Sequence, residues 1–99
     1  MSNIRQLMKQ AQQMQERLQR ELAELVVEAS VGGGMVTVSM SGHKQLVKVK
    51  IDPEALDPND PSMLEDLLLA AVNEAARKVD ESLQNRMGTI ASGLPPLFS

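Results

Sequence analysis

The 99-residue sequence contains no cysteine, tryptophan or tyrosine, and Phe98 is its one aromatic residue. Without cysteine, the chain can form neither disulfides nor thiolate zinc sites, and thiol catalysis is excluded. The shortage of aromatic rings argues against RNA-recognition sheets and single-strand binders, because both stack bases on such rings. No apolar run is long enough to span a bilayer, and the first residues predict an amphipathic helix rather than a signal peptide. We therefore expect a cytoplasmic protein with no membrane partner.

Catalytic and metal-binding patterns are equally scarce. His43 is the one histidine, so a transition-metal site is not expected. The Gly32–Gly34 run lacks the Lys-Ser/Thr pair and the following helix of a phosphate-binding P-loop, and a turn between strands explains it. The clustered carboxylates fall in a polar loop and a helix first turn, where acids favour the helix dipole: Asp57, Asp60, Glu65 and Asp66. We expect no enzyme, no cofactor, no metal and no small-molecule substrate.

The length and composition predict a single small domain covering residues 1–99. Hydrophobic residues make up 42%, enough for a core rather than a disordered chain. Residues 3–27 predict one long helix, with Asn3 and Gln6 as a capping pair. Its apolar residues recur at steps of three and four: Ile4, Leu7, Met8, Ala11, Met14, Leu18, Leu22 and Leu25.

Alternation of apolar and polar residues then predicts a three-stranded antiparallel meander with one face of each kind. Val27, Ala29 and Val31 share one face of the first strand. The second and third strands continue the pattern after turns at 32–34 and 41–44. Their inward residues are Val36, Val38, Met40, Val47, Val49 and Ile51.

A second long helix is predicted from about Met63 to Met87, after an acidic, proline-containing loop with room for one helical turn. Ser62 and Glu65 have the spacing of a capping box. The inward stripe consists of Leu64, Leu68, Ala71, Val72, Ala75, Val79 and Leu83. Gly88, Gly93, Pro95 and Pro96 predict a short, irregular or helical tail that carries Ile90, Leu94, Leu97 and Phe98.

This arrangement predicts a homodimer with protruding helices. A helix of 25 residues is about 37 Å long, whereas a six-residue strand spans about 20 Å. About half of the first helix should therefore overhang its own sheet with its apolar stripe uncovered, and a second copy is the simplest cover. Leu67 and Leu69 lie outside the main stripe of the second helix. They favour the same conclusion unless they pack on the loop or tail of their own chain.

Charge is segregated along the chain, although the net charge is −3. Residues 1–20 carry four bases against one acid, whereas residues 51–82 carry nine acids against two bases. At about 100° per residue, Arg5, Lys9 and Arg20 fall on one side of the first helix, opposite its apolar stripe. Such a surface can contact phosphates even in an acidic protein, although any solvated helix has a charged outer face. The candidate DNA contacts are Arg5, Lys9, Arg17 and Arg20, with Arg77, Lys78 and Arg86 as further candidates.

Lys48 and Lys50 share the polar sheet face with Thr37 and Ser39. Three roles fit them: contact with phosphates, pairing with Glu28, or simple solvation of the sheet. We favour the roles within the protein for these two lysines.

Several segments, in this order along the chain, resemble the YbaB/EbfC nucleoid-associated proteins. They are Leu7 to Gln15, the meander from Gly34 to Ile51-Asp52-Pro53, Met63 to Leu68, Ala70 to Ala75, and the closing Gly93 to Phe98. The glycine- and phenylalanine-containing leader that often precedes the first helix is absent, and the tail is short. Any DNA contact that those segments make in relatives is not expected here.

The resemblance implies an α+β homodimer shaped like tweezers, which binds duplex DNA in the bacterial nucleoid with little or only modest sequence preference. It also implies a role in chromosome organisation or gene regulation, and no catalysis. The alternative from a different class is a protein–protein adaptor that uses apolar ends, since seven methionines suit adaptable contacts. In that case Leu94, Leu97 and Phe98 would capture the partner.

Overall fold

The computed structural model of the chain describes the backbone of residues 2–92 and the side chains of residues 3–86. A long helix is followed by a three-stranded sheet, a short 3-10 turn and a second long helix, which confirms the predicted α+β order. The elements are α1 (Ser2–Glu24), β1 (Val26–Val31), β2 (Val36–Ser41), β3 (Leu46–Ile51), the 3-10 turn (Pro53–Ala55) and α2 (Pro61–Ser92).

The sheet is antiparallel in the order β1-β2-β3, with β2 in the centre. One face of β1 and β2 packs against α2, because valine and alanine alternate with polar residues at period two. The small core comprises Ala29, Val36, Val38, Met40, Ala71, Ala75 and Val79. Leu67 also packs against this core, which supports packing within its own chain, whereas Leu69 stays 64% exposed.

The first helix ends earlier than predicted, at Glu24 rather than residue 27. Leu25 makes the last helical hydrogen bond, from its N–H to the Glu21 carbonyl. Val26 and Val27 are already paired with β2, because β-branched valines fit a sheet better than a helix end. The predicted capping role of Asn3 is also wrong, since Asn3 lies inside a helix that begins at Ser2.

The second helix is longer than predicted at both ends, and it includes Gly88 and Ile90, which the sequence placed in the tail. One glycine inside a helix costs about 1 kcal/mol, too little to end a helix of this length. The predictions for Leu94, Leu97 and Phe98 lie outside the described residues.

The residue that caps α2 is Asp60, not Ser62. Asp60 Oδ1 accepts hydrogen bonds from the Met63 N–H at 3.2 Å and from the Ser62 hydroxyl at 2.9 Å. Pro61 takes the first helical position, where its missing N–H is harmless. Ser62 therefore lies inside the first turn of the helix.

We predict that Asp60→Ala lowers the free energy of unfolding by about 1 kcal/mol, because a backbone N–H of the first turn loses its acceptor. Ser62→Ala should cost less than about half of that, because its hydroxyl only supports Asp60. Urea denaturation of both variants at one protein concentration makes the comparison. If Ser62→Ala lowered the free energy of unfolding more than Asp60→Ala, Ser62 would be the capping residue.

More of α1 projects than the predicted half. Residues 3–21 are exposed throughout, and Leu22 and Leu25 are the half-buried residues where the helix meets the rest of the chain. At that point the Gly42 N–H donates to the carbonyls of Leu22 and Leu25, each at 2.9 Å. Since α2 already occupies the apolar face of β1 and β2, α1 has little of its own sheet to pack against. The chain accordingly measures 69 × 28 × 15 Å.

Candidate nucleic-acid interface

The outer face of α1 carries three bases that no acid among the described side chains neutralises. Arg5, Lys9 and Arg20 are exposed, and among the side chains of residues 3–86 none of the three has an ion-pair or hydrogen-bond partner. Helical geometry places them on one side, away from the apolar stripe. Their positive charge therefore faces solvent, where a polyanion can approach.

Arg17 differs from the other three predicted contacts. Its Nε lies 3.4 Å from Glu21 Oε1, one turn further along α1. The pair is exposed and weak, so Arg17 can still turn towards a phosphate, but its charge is shared with a neighbouring carboxylate. The spacing of four residues between an arginine and a glutamate was a visible signal of this pair in the sequence.

Two of the three bases of α2 are held by acids or carbonyls of their own chain. Arg77 Nη2 lies 2.7 Å from Glu74 Oε1, and Arg77 Nη1 lies 2.8 Å from Glu81 Oε2. The hydrogen bond from Arg77 lowers the pKa of the Glu74 carboxyl, and those two carboxylates raise the pKa of Arg77. Lys78 Nζ donates to the Glu28 carbonyl at 2.8 Å. The structure thus gives both predicted candidates roles within the protein, whereas Arg86 is exposed and has no described partner.

The lysines around β3 fall into two groups. Lys44, in the turn before the strand, lies 2.8 Å from Asp80 Oδ1 of α2. Lys48 and Lys50 are exposed and have no described ion-pair partner. They share the polar sheet face with Ser39 and Thr37 as predicted, and the register places them directly opposite these two residues. Neither lysine forms an ion pair with Glu28, which was one of the roles that the sequence allowed.

Several acids build local turns, but the predicted first-turn position of Glu65 and Asp66 is wrong, because α2 begins at Pro61 and has no acid in its first turn. Asp52 and Asp57 each accept a backbone N–H two residues further on, from Glu54 and Asn59, at 2.9 Å. Such bonds build turns. Within the described residues, histidines and acids form no cluster of three that could hold a metal ion. His43 Nε2 lies 3.4 Å from the Gln19 carbonyl of α1.

The described surface offers open grooves. The apolar groove between the 3-10 turn and the start of α2 is lined by Ala55, Leu56, Leu64 and Leu68 among others, and it is open to solvent. Neither of the two long helices, over its described residues, combines the length and the apolar character needed to cross a bilayer.

The apolar stripe of α1 is the other exposed surface. Its residues are between 55% and 72% exposed in a single chain: Ile4, Leu7, Met8, Met14 and Leu18. Leu46, Val47 and Val49 of β3 are exposed as well, because α2 covers β1 and β2 more than β3. The stripe was visible in the sequence. The exposure of β3 was not, because its alternation alone predicts a buried face.

Over the part of the chain that the structure describes, these features define a small α+β protein with open grooves, a basic helix face and exposed apolar surfaces. The model of the YbaB/EbfC DNA-binding family matches residues 1–94. The chain belongs to this family, which confirms the resemblance seen in the sequence.

Relatives named "Nucleoid-associated protein" match over nearly their whole length. The protein of Chloroflexus aurantiacus is 48% identical over 99 residues, covering 97% of this chain and 99% of the relative. The protein of Acetivibrio thermocellus is 53% identical, covering 97% and 90%, and that of Xylella fastidiosa is 55% identical, covering 97% and 92%. The crystal structure of the uncharacterized protein HP0035 from Helicobacter pylori has the same fold. Its TM-score is 0.72 at 25% identity, covering 92% of this chain and 96% of that one.

Proposed function

We propose that this protein binds the phosphate backbone of duplex DNA as a homodimer, and that it acts in chromosome organisation or gene regulation in the bacterial nucleoid without catalysis. The observation that carries the proposal is a projecting helix with unpaired bases, in a chain that belongs to a DNA-binding family. Arg5, Lys9 and Arg20 make the main contacts. Arg17 contributes less, because Glu21 competes for its guanidinium.

The dimer is supported by the shape and surface of one chain. The radius of gyration is 19.5 Å, whereas a compact chain of 100 residues has a radius near 13 Å. A chain this extended leaves much apolar surface in water, on α1 and β3 above all. Exposed apolar patches of this kind mark protein–protein contacts, and a second copy carries the same stripe for a two-fold contact.

The charge distribution explains how an acidic protein can bind a polyanion. The acids lie mainly in residues 51–82, and several are held in turns or by Arg77 and Lys44. The unpaired bases of α1 lie at the opposite end of the sequence and project. A local positive field attracts phosphates, while the negative net charge limits indiscriminate binding.

The test is the salt dependence of DNA binding. Binding of a fluorescent duplex is titrated at several salt concentrations for the wild type and for the triple variant Arg5→Ala, Lys9→Ala, Arg20→Ala. Removal of each phosphate-binding side chain is expected to reduce the slope of log affinity against log salt concentration by about 0.9. Alanine retains the helix, so the dimer should remain intact.

Arg17→Ala is the matched control on the same helix, and its slope should change less than the per-residue average of the triple variant. An unchanged slope in the triple variant would show that α1 does not contact DNA. A wild type that binds no duplex at low salt would contradict the whole proposal and favour the protein–protein adaptor.

The oligomeric state is measured on the same samples. We expect sedimentation equilibrium to give twice the chain mass of 10.8 kDa for the wild type and for the triple variant. A wild type that stays at the single-chain mass at all concentrations would rule out the homodimer.

A further inference from the structure

We propose that the polar face of the sheet, opposite α2, is a second surface that contacts the DNA backbone, with Lys48 and Lys50 as its phosphate-binding groups. This inference rests on the proposed function and adds a separate surface to it. The face is defined by six residues in two rows across the three strands: Ser30, Thr37 and Lys50 in one row, and Glu28, Ser39 and Lys48 in the other.

The lysines are free to bind an external anion. Both are exposed, and neither has an ion-pair or hydrogen-bond partner among the side chains that the structure describes. Glu28 stands two strands away from Lys48 in the same row. That separation is about 9.6 Å between backbones, well beyond an ion pair.

The hydroxyls around the lysines suit the same ligand. Thr37 lies directly opposite Lys50, and Ser39 lies directly opposite Lys48. The hydroxyls of Ser30 and Thr37 lie 3.0 Å apart and hydrogen-bond to each other. Lysine, serine and threonine are typical donors to phosphate oxygens. The two lysines are about 6.8 Å apart along the strand, so they can contact separate phosphates.

The composition of this face argues against a second copy of the chain as its occupant. Lysine, glutamate and serine are depleted in the cores of protein–protein interfaces, and they make up most of this face. Two such faces brought together would place four lysines near one another without enough acids to neutralise them. A polyanion satisfies this charge pattern better.

The experiment compares two double variants that each remove two positive charges. Lys48→Gln with Lys50→Gln removes the unpaired lysines, and Lys44→Gln with Arg77→Gln removes bases already paired with acids. Duplex binding is titrated at several salt concentrations, as for the helix. If one sheet face of the dimer contacts DNA, the Lys48→Gln, Lys50→Gln variant should reduce the slope of log affinity against log salt concentration by about 1.8, at about 0.9 per phosphate-binding group. The Lys44→Gln, Arg77→Gln variant should change this slope much less.

Lys48→Arg with Lys50→Arg retains the charge and should keep the wild-type slope, which separates charge from local structure. Equal slopes in the two glutamine variants would overturn the inference, and the helix triple variant would still test the proposed function on its own. A shift of the Lys48→Gln, Lys50→Gln variant from dimer to monomer would also overturn it, because the face would then be a contact between copies. If the wild type did not bind duplex DNA, both the proposed function and this inference would be wrong.

Discussion

Replacing Leu7 and Leu18 with glutamine is expected to dissociate the proposed dimer while each chain stays folded. The two side chains are 63% and 55% exposed in a single chain, so they contribute little to its own core. Covering a leucine with a partner is worth about 1.5–3 kcal/mol for full burial, and a two-fold dimer carries four of these positions. We expect the dimer dissociation constant to rise more than about 100-fold, equivalent to about 2.7 kcal/mol.

Leu7→Met with Leu18→Met is the matched control. Methionine keeps the apolar character of leucine, and methionine and glutamine have similar helix propensities, so the two double variants differ mainly in polarity. Sedimentation equilibrium over a range of concentrations measures both double variants. The methionine variant should remain a dimer. If the glutamine variant dimerises as tightly as the methionine variant, the apolar stripe of α1 is not part of the contact.

Gly42→Ala is expected to detach α1 from the sheet. A Cβ added at Gly42 would lie 2.5 Å from the Leu22 carbonyl oxygen and 3.0 Å from Leu22 Cα. Both are backbone atoms, so the helix itself must move, and the hydrogen bonds from Gly42 to Leu22 and Leu25 would be strained or broken. We expect a decrease of about 2–3 kcal/mol in the free energy of unfolding, as for overpacking at other close contacts.

Gly33→Ala gives the comparison for Gly42→Ala. Gly33 has a φ of +67°, and a Cβ added there would meet no atom within 4 Å, so alanine costs about 1–2 kcal/mol from backbone strain alone. Urea denaturation at one protomer concentration ranks the two variants, since dimer stability depends on concentration. Gly42→Ala should also reduce DNA affinity, because the bases of α1 lose their fixed position. Unchanged DNA affinity together with reduced stability would show that this junction does not orient α1.

Much of the fold could be predicted from periodicity, and the failures have local physical reasons. The valines at 27, 36 and 38 and the alanines at 71 and 75 were placed correctly on inward faces. Helix ends were predicted less accurately, because residues that can cap a helix lie close together in the sequence. Asp60, not Ser62, caps α2, because Pro61 fits the first helical position. The C-terminal end of α2 was placed too early because a single glycine, Gly88, was taken to end the helix.

The candidate interface was only partly predictable. The side of α1 that carries Arg5, Lys9 and Arg20 follows from helical geometry. Pairing between elements does not follow from spacing, because Lys44 bonds to Asp80 and Lys78 bonds to the Glu28 carbonyl only in the folded chain. Lys48 and Lys50 stayed ambiguous in the sequence for this reason.

The sequence by itself determined the order of the elements, the apolar and basic sides of α1, and the two faces of the sheet, because residue spacing controls which side chains share a face. Only the tertiary structure decided how far α1 projects, which bases bond to residues of another element, and that α2 leaves β3 uncovered. Those outcomes depend on contacts between residues far apart in the chain, such as Gly42 with Leu22 and Lys78 of α2 with the Glu28 carbonyl. Side-chain spacing along one element carries no information about them.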